Sequence, residues 1–344
     1  MKSLSRLRMR HRPTIAIAIG DPAGIGPEIS LKAARDPAVR CACKTLLAGD
    51  AGVLQRHAAA CGIAADLRVI ARPADADLSG AHLNVLDCAQ PDLAGLEFGT
   101  TGAASGRASL AFARAAIKAA LAGEADAVVA APQNETSIAL AGIRFDGYPS
   151  FVARETGTDE DDVYLMLCFD AVKIVHTTLH RSVRQAIDMI TRERIERAIA
   201  ATDRALRRMG TAAPKIAVGG LNPHAGEGGL FGREEIDIIK PAIDAAAARG
   251  LAVNGPYGAD TLFHRQGDAF IVMLHDQGHI AAKVLAKNAV AALTIGSPIL
   301  FSSVAHGSAH DIAGKGLADP AAMIEAVLRL SQVGGRRELH PATA

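Results

Sequence analysis

Short, uninterrupted apolar segments alternate with alanine-rich segments along most of this chain of 344 residues. An apolar run of about four to six residues between loop signals predicts a strand that is buried on both faces of a sheet. Alternation of such strands with helices predicts a mainly parallel sheet, which is an α/β fold. Strands are expected at 14–19, 126–131, 172–175, 215–219 and 270–274, and helices near 106–122, 192–209 and 233–248.

The chain is long enough for two domains, yet no low-complexity linker divides it. Each boundary must therefore be a crossing within continuous structure, near Pro132 and again near Gly296. We expect a discontinuous first domain of residues 13–132 and 297–335, a second domain of residues 133–296, and a cleft between them. Residues 1–12 are interpreted as a basic N-terminal extension.

Charge content argues against a nucleic-acid binder. The 37 basic and 36 acidic residues are interleaved and leave a formal net charge of +1. Nucleic-acid binders usually concentrate basic residues on one face, and here the only basic cluster lies within residues 2–12. A small-molecule substrate is therefore expected, with no nucleic-acid partner.

Cysteine spacing and hydropathy indicate the compartment. The five cysteines are odd in number and show no C-x-x-C spacing, which argues against a disulfide framework or a zinc ribbon. The apolar run at 14–19 is too short for a signal peptide, and no stretch approaches the roughly eighteen apolar residues of a membrane span. We expect a cytoplasmic protein with no membrane partner.

Three histidines follow three of the predicted strands: His180, His224 and His275. Ligands of open α/β folds bind at the carboxyl ends of parallel strands, so these side chains are candidates for one shared site. Three neutral imidazoles with an open coordination position are typical of a catalytic metal, and they favour zinc or a later transition metal over magnesium. The alternative for each histidine is a polar loop residue without a ligand.

Two glycine-rich loops stand out. The first, from Gly20 to Glu28, has the spacing G-x-x-x-G-x-G and not that of a dinucleotide fingerprint. We interpret it as a tight turn that brings Asp21 and Glu28 near the cleft. The second, 219–229, contains Asn222 and His224, and the helix expected after Gly232 has an N-terminus suited to an anion.

Two further segments offer reactive side chains. His275 is followed by Asp276 and, eight residues on, by Lys283. A helix that began near Gly278 would place Lys283 one to two turns along, where it could bind a carboxylate or transfer a proton. The alternative is an exposed lysine beside a capped loop. Asp260, in a turn after Gly258, is a weaker candidate for a catalytic carboxylate or a metal partner.

The segment 306–320 is the most specific in the chain. It resembles the adenosine-binding loop of the isocitrate and isopropylmalate dehydrogenases, which bind NAD(P) without a Rossmann unit. The resemblance implies that NAD contacts the following residues: His306, Gly307, Ser308, Ala309 and Asp311.

Together, the segments 20–28, 221–227, 259–263, 275–278 and 306–320 resemble the 4-hydroxythreonine-4-phosphate dehydrogenase family. The resemblance implies a two-domain isocitrate/isopropylmalate dehydrogenase-like fold, NAD, a divalent metal, and a homodimer with a shared active site. Matched by motif, the metal ligands are His180, His224 and His275, with His176 as the rival within its segment.

The chain departs from that family where the family binds the substrate phosphate. A Gly-His-Thr-Glu stretch is replaced by 147–150, with Tyr148 and Ser150, and an Asn and an Arg fall on Ala292 and Phe301. Losing an Arg and a His removes charge-assisted hydrogen bonds worth on the order of several kcal/mol together, which argues against a phosphomonoester.

The substitutions resemble instead the terephthalate dihydrodiol dehydrogenases within the family. That resemblance implies oxidation of a cis-dihydrodiol of a cyclohexadiene dicarboxylate by NAD, followed by decarboxylation to protocatechuate. Expected substrate contacts are Tyr148, Ser150, Asn222 and Lys283, with Lys283 and Asp260 in catalysis. The alternatives are oxidation of 4-hydroxythreonine-4-phosphate or a related phosphorylated hydroxy acid, and a regulatory protein that has lost turnover.

Overall fold

The structure is a computed structural model that describes residues 12–77, 79, 81–286, 290–304 and 306–332. Of the expected basic extension, only Arg12 is among the described residues. The predicted first domain also ends beyond them, at residue 335.

The described residues form twelve strands and eleven α-helices that alternate along the chain. The strands are β1 Thr14–Ala18, β2 Lys44–Gly49, β3 Leu67–Ile70, β4 Leu83–Asp87, β5 Ala127–Ala130, β6 Tyr164–Phe169, β7 Val172–His176, β8 Lys215–Gly219, β9 Ala252–Tyr257, β10 Ala269–Val272, β11 Ala291–Ile295 and β12 Phe301–Val304. The α-helices are α1 Gly26–Arg35, α2 Pro37–Ala42, α3 Ala51–Ala60, α4 Ala103–Leu121, α5 Glu135–Leu140, α6 Tyr148–Thr156, α7 Val183–Met189, α8 Arg192–Arg208, α9 Lys240–Ala248, α10 His275–Leu285 and α11 Ala321–Ser331.

All twelve described strands form one sheet, in the order β3-β4-β2-β1-β5-β12-β11-β6-β7-β10-β8-β9. Neighbouring strands within the described residues are parallel except in the middle, where β12 with β11, β11 with β6, and β6 with β7 are antiparallel. The sheet therefore has two parallel parts that run in opposite directions. The predicted division into two domains stays a prediction, because the strands are continuous across both parts.

The α/β class predicted from the sequence is confirmed. Every residue of β1, β5 and β10 is buried, as expected for strands covered on both faces. The predicted strands and the helices near 106–122 and 192–209 match observed elements to within a few residues. The helix expected from 233 differs, because a π-helical segment, Glu235–Ile239, precedes α9. No helix in the described part of the chain has the length and apolarity to cross a membrane.

Small side chains allow close packing of helices, as the alanine content suggested. Seven of the ten residues that helix α4 buries are alanine, serine or glycine, and the helix packs on β1, β2 and α5. At its closest approach, a Cβ added to Gly106 would lie 2.1 Å from the carbonyl oxygen of Ser137. That oxygen belongs to the backbone of the third residue of α5, so it cannot swing aside as a side chain could.

We expect Gly106→Ala to destabilise the protein. A methyl group there would push α5 away, at a cost typical of overpacking, about 1–3 kcal/mol, that outweighs the gain of up to about 1 kcal/mol in helix propensity. Urea denaturation measures the difference, with Gly95→Ala as the control because an added Cβ at Gly95 has no atom within 4 Å. Equal stability of Gly106→Ala and the wild type would mean that α4 and α5 do not touch this closely.

Candidate active site

Parallel pairing brings the three predicted metal ligands to one edge of the sheet. Val175 of β7 pairs with Ile271 of β10, and Ile271 pairs with Val218 of β8, all in parallel register. The carboxyl ends of these strands are therefore neighbours, about 4.8 Å apart from strand to strand. His180 follows β7, His275 begins α10 after β10, and His224 follows β8.

The structure brings two of these histidines together. The ring centroids of His180 and His275 are 5.7 Å apart. The ring of His224 instead lies 6.1 Å from that of Phe231, and its Nδ1 is 3.4 Å from Glu227. Among the described residues, no three side chains of His, Cys, Asp or Glu are close enough to hold a metal ion. A site shared by all three histidines thus stays a prediction.

His275 has one ring nitrogen available for a metal. Helix α10 begins at His275, not near Gly278, and His275 Nδ1 lies 2.7 Å from the Asp276 carboxylate. A carboxylate on Nδ1 holds the ring and leaves Nε2 as a donor of electrons, which is the usual arrangement behind a metal-bound histidine. Because the helix starts earlier than expected, Lys283 lies about two turns beyond His275.

Two further imidazoles, those of His279 and His176, pack beside the pair formed by His180 and His275. His279 lies stacked on His275, with ring centroids 3.8 Å apart. His176 Nδ1 is 3.3 Å from the carbonyl oxygen of Leu165, which can only accept, so the proton of a neutral ring sits on Nδ1. His176 Nε2 then accepts from His279 Nδ1 at 3.1 Å. His176, the rival ligand, is 1% exposed and has both nitrogens occupied.

Burial favours the neutral form of His176, His279 and His180. Desolvation, helped by the charge of His279, lowers the pKa of His176 to about 3. Desolvation and the charge of His275 lower the pKa of His279 to about 4. The same two causes lower the pKa of His180. A neutral imidazole has the lone pair that a divalent metal requires, so His180 fits a metal by its chemistry.

The loop that carries His224 has an unusual backbone. Residues 224–228 all have positive φ, including the non-glycine residues His224 (52°), Ala225 (53°) and Glu227 (45°). Left-handed backbone costs about 1–2 kcal/mol for each non-glycine residue, so neighbouring contacts must hold the loop. The buried Glu235 carboxylate does so, accepting from the backbone N–H groups of Leu221 and Asn222 at 2.7 and 2.8 Å.

Two contacts connect this loop with its neighbours. Gln277 in α10 accepts from the backbone of Met273 and Leu274 and donates to Gly220 O at 3.1 Å, which links the ends of β10 and β8. Asp260 follows β9, the next strand along. A Cβ on Gly258 would lie 2.6 Å from Asp260 Oδ1 and 3.5 Å from His224 Cα, so these two candidates lie close together.

The predicted cofactor loop packs against the first glycine-rich loop. Ser308 O accepts from Ile25 N at 2.9 Å, and a Cβ on Gly24 would lie 2.6 Å from Ser308 O. Asp21 is buried and bonds His310 at 2.7 Å. The tight turn expected around Asp21 is present, and it holds the cofactor loop; its position at the predicted cleft stays a prediction.

Of the five predicted cofactor contacts, three are exposed, namely His306, Gly307 and Asp311. His306 is exposed, and a Cβ on Gly307 would meet open space. Ser308 is buried against the first loop and positions the segment. Ala309 has φ 41°, and the backbone oxygen of Asp311 accepts from Lys315. The loop thus fits a dinucleotide by its open outer face.

Residues 134 and 135 connect the cofactor loop with the histidine pair. Asn134 donates to Ser308 Oγ at 3.3 Å. The adjacent Glu135 acts on His180, whose pKa is lowered by burial and by His275 and raised by this carboxylate. The sequence did not predict that these two residues contact the cofactor loop and act on His180. Both follow β5, and only the fold brings the end of β5 near these segments.

The predicted substrate contacts are spread over the site. The Tyr148 hydroxyl donates to Ala131 O at 3.1 Å and accepts from Gln133 at 2.8 Å. The Asn222 amide donates to the carboxylates of Glu234 and Glu235. These two carboxylates place negative charge near the helix N-terminus after Gly232, where the sequence predicted a site for an anion. Ser150 is half-buried on α6, and Lys283 is exposed on α10. Their contact with a substrate stays a prediction.

A cavity of about 760 Å³ opens beside the histidine pair. His180 and His275 line it together with Arg144 and Arg181, which sequence analysis did not select. The position of Arg181 directly after His180 could have indicated that it lies at the site. The sequence around Arg144 contains no comparable indication.

The comparisons with known proteins identify the family. Residues 41–329 match the model of the family described as pyridoxal phosphate biosynthetic protein PdxA. The chain belongs to this family. It is a dehydrogenase, as its relatives are named.

Two relatives differ in their named substrates. The chain is 42% identical to 1,2-dihydroxy-3,5-cyclohexadiene-1,4-dicarboxylate dehydrogenase of Comamonas sp., covering 94% of this chain and 99% of the relative. It is 38% identical to D-threonate 4-phosphate dehydrogenase of Cupriavidus necator, with coverage of 95% and 99%.

Two similar solved structures also differ in the substrates for which they are named. A 4-hydroxythreonine-4-phosphate dehydrogenase from Burkholderia phymatum matches with a TM-score of 0.86 at 36% identity, covering 95% of this chain and 100% of its own. A terephthalate 1,2-cis-dihydrodiol dehydrogenase from Burkholderia xenovorans matches with a TM-score of 0.74 at 43% identity, with coverage of 93% and 98%. The PdxA fold is therefore shown, and the resemblance stated from the motifs is confirmed.

The lowered pKa of His176 predicts how its replacement changes acid stability. Unfolded histidine has a pKa near 6.5, so between pH 6.5 and about 3 the unfolded chain takes up a proton that buried His176 does not. Stability from this group is complete above pH 6.5 and falls as the pH drops, by a few kcal/mol at pH 4. In chelator-treated protein, His176→Asn, which keeps an N–H for Leu165 O, should make the free energy of unfolding fall less steeply. Urea denaturation between pH 7 and 4 measures this; equal slopes would contradict a neutral, buried His176.

Proposed function

We propose that the protein is a metal-dependent, NAD-linked dehydrogenase that oxidises a hydroxyl next to a carboxylate-bearing carbon and then decarboxylates the product. The proposed substrate is a cis-dihydrodiol of a cyclohexadiene dicarboxylate, and the products are protocatechuate, CO2 and NADH. The relative from Comamonas and the structure from Burkholderia xenovorans are named as dehydrogenases of such a dihydrodiol, which supports this substrate class.

The observation that carries the choice of substrate is the contact between Tyr148 and Phe301. These residues replace a His and an Arg of the phosphate site in the family that the chain resembles. Their ring centroids are 4.8 Å apart, and Phe301 is 0% exposed. An aromatic contact whose one hydroxyl is already bonded to Gln133 and Ala131 offers no charge to a phosphate, which favours a substrate without a phosphate group.

The proposed reaction transfers a hydride to NAD and then releases CO2. The hydroxyl oxygen loses its proton, and its carbon gives a hydride to NAD, which leaves a β-keto acid. The bond to the neighbouring carboxylate then breaks with loss of CO2, and its electron pair passes to the carbonyl oxygen, which takes up a proton. Aromatisation of the ring makes this step irreversible.

We assign roles to the residues of the site on this basis. His180, His275 and His224 would hold the divalent metal, with zinc favoured. When bound, the metal supplies Lewis acidity to the oxygens of the substrate. Lys283 would transfer a proton or bind a carboxylate. It lies one turn after His279 on α10, and its charge contributes to the lowered pKa of His279, behind burial and the charge of His275.

A homodimer in the cytoplasm is part of the proposal. On α10, Ile280 and Val284 are 61% and 77% exposed and lie one turn apart. On α7, beside the cavity, Val183 is 65% exposed. Exposed apolar side chains on the helix that begins with His275 and on the helix beside the cavity suggest cover by a second subunit. A partner could also supply the third histidine to a site that holds only two here.

The second candidate is a phosphorylated hydroxy acid, either 4-hydroxythreonine-4-phosphate of vitamin B6 synthesis or D-threonate 4-phosphate. The names of the Cupriavidus relative and of the Burkholderia phymatum structure favour it. The Tyr148–Phe301 contact opposes it.

A spectrophotometric NADH assay distinguishes the candidates. The enzyme, stripped with a chelator and reloaded with zinc, manganese, cobalt or magnesium, would be given the terephthalate cis-dihydrodiol and both phosphorylated hydroxy acids. We expect NADH and CO2 in equal amounts from the dihydrodiol, and at least about tenfold lower kcat/KM with the phosphates, because a lost charge-assisted hydrogen bond costs about 1.5–3 kcal/mol. The reverse preference would make the second candidate correct.

The His224→Ala variant is the matched test of the metal. We expect it to lose metal-dependent turnover while its circular dichroism stays that of the wild type, since the ring of His224 is exposed. If the chelator-treated variant turned over as fast as the wild type, the metal would have no part in the mechanism.

A further inference from the structure

The cavity beside His180 and His275 combines two chemical surfaces. Leu179, Val183 and Leu274 give it apolar lining, and the guanidinium-bearing Arg144 and Arg181 give it positive charge. Its volume of about 760 Å³ lies within the usual range of roughly 300–1,000 Å³ for small-molecule sites. A ligand that fits both surfaces has an apolar part and at least one negative charge.

Arg181 is a cation without an acidic partner among the described residues. Its Nη1 donates to the backbone oxygen of its neighbour His180 at 3.1 Å. A guanidinium has five N–H groups, so most of the donors of Arg181 remain for a ligand. The hydrogen bond to His180 O holds the guanidinium group of Arg181 next to the predicted metal ligand.

Arg144 adds charge that its surroundings only partly neutralise. It lies 3.4 Å from Asp146, a long contact for an ion pair. Asp146 is shared with Arg154 at 3.1 Å, so one carboxylate serves two guanidinium groups. The one acidic residue that lines the cavity, Asp276, is already bonded to His275.

We propose that Arg181, assisted by Arg144, is the specificity-determining residue that binds the carboxylate the substrate keeps. This rests on the proposed function, in which one carboxylate leaves beside the histidines and the other stays across the ring. The planar fork of arginine matches a carboxylate with two parallel hydrogen bonds. The apolar side chains that line the cavity would contact the ring. Neither arginine takes part in the chemistry.

Binding of unreactive aromatic acids tests this subsite directly. Terephthalate carries the second carboxylate and benzoate lacks it, so their affinities in the metal-loaded protein isolate one charge. By calorimetry, we expect the wild type to bind terephthalate about 10- to 100-fold more tightly than benzoate, as for a charge-assisted pair. In Arg181→Gln, the ratio should fall to within about threefold, with benzoate affinity little changed.

The matched control is Arg184→Gln, in the same helix as Val183. Arg184 is exposed and is not among the residues that line the cavity, and its replacement removes the same charge. We expect it to keep the preference for terephthalate. With the dihydrodiol as substrate, Arg181→Gln should raise KM about 10- to 100-fold and leave kcat within about threefold, because the contact serves binding alone.

Each outcome decides one of the two proposals. An Arg181→Gln protein that still prefers terephthalate overturns the subsite, and so does an equal loss in Arg184→Gln. If Arg181→Gln loses affinity for inorganic phosphate while the wild type does not bind terephthalate, the arginine binds phosphate and the inference is wrong. If terephthalate binding depends on Arg181 but the wild type does not oxidise the dihydrodiol, the subsite stands and the proposed function fails.

Discussion

Parallel alignment of β7, β10, β8 and β9 is the constraint on which the candidate active site depends. Because these strands run in one direction, the loops after them leave the sheet at one edge, in the order His180, His275, His224 and Asp260. A change in direction of any strand would send its loop to the other edge. The antiparallel strands in the middle of the sheet separate this group from the part that carries the cofactor loop.

Polar contacts convert that proximity into a defined arrangement. Glu235 and Gln277 fix the loop of His224, and the Asp276 carboxylate and the stacked His279 orient His275. Burial lowers the pKa of His176, His180 and His279, which favours the neutral state that binds a metal. The site therefore combines a rigid sheet edge with side chains whose protonation is set by their surroundings.

The sequence predicted the strands, the α/β class and the three histidines at one edge, because apolar runs and loop residues are local signals. It did not predict how close the histidines come, since His180 and His275 meet through adjacent strands whereas His224 lies one strand further. It also did not select Arg144, Glu135 or the Asp21–His310 bond. These contacts join residues far apart in the chain, and no local pattern marks them. Motif resemblance identified the family, but the substrate class depends on the Tyr148–Phe301 contact.

Anomalous X-ray diffraction at the zinc absorption edge, from crystals of the zinc-loaded protein, tests the central claim most directly. The account predicts one strong peak per chain, within bonding distance of His180 Nε2, His275 Nε2 and one His224 ring, from the same or a second copy of the chain. Zinc bound elsewhere, with His224 remote from it in every copy, would contradict the account.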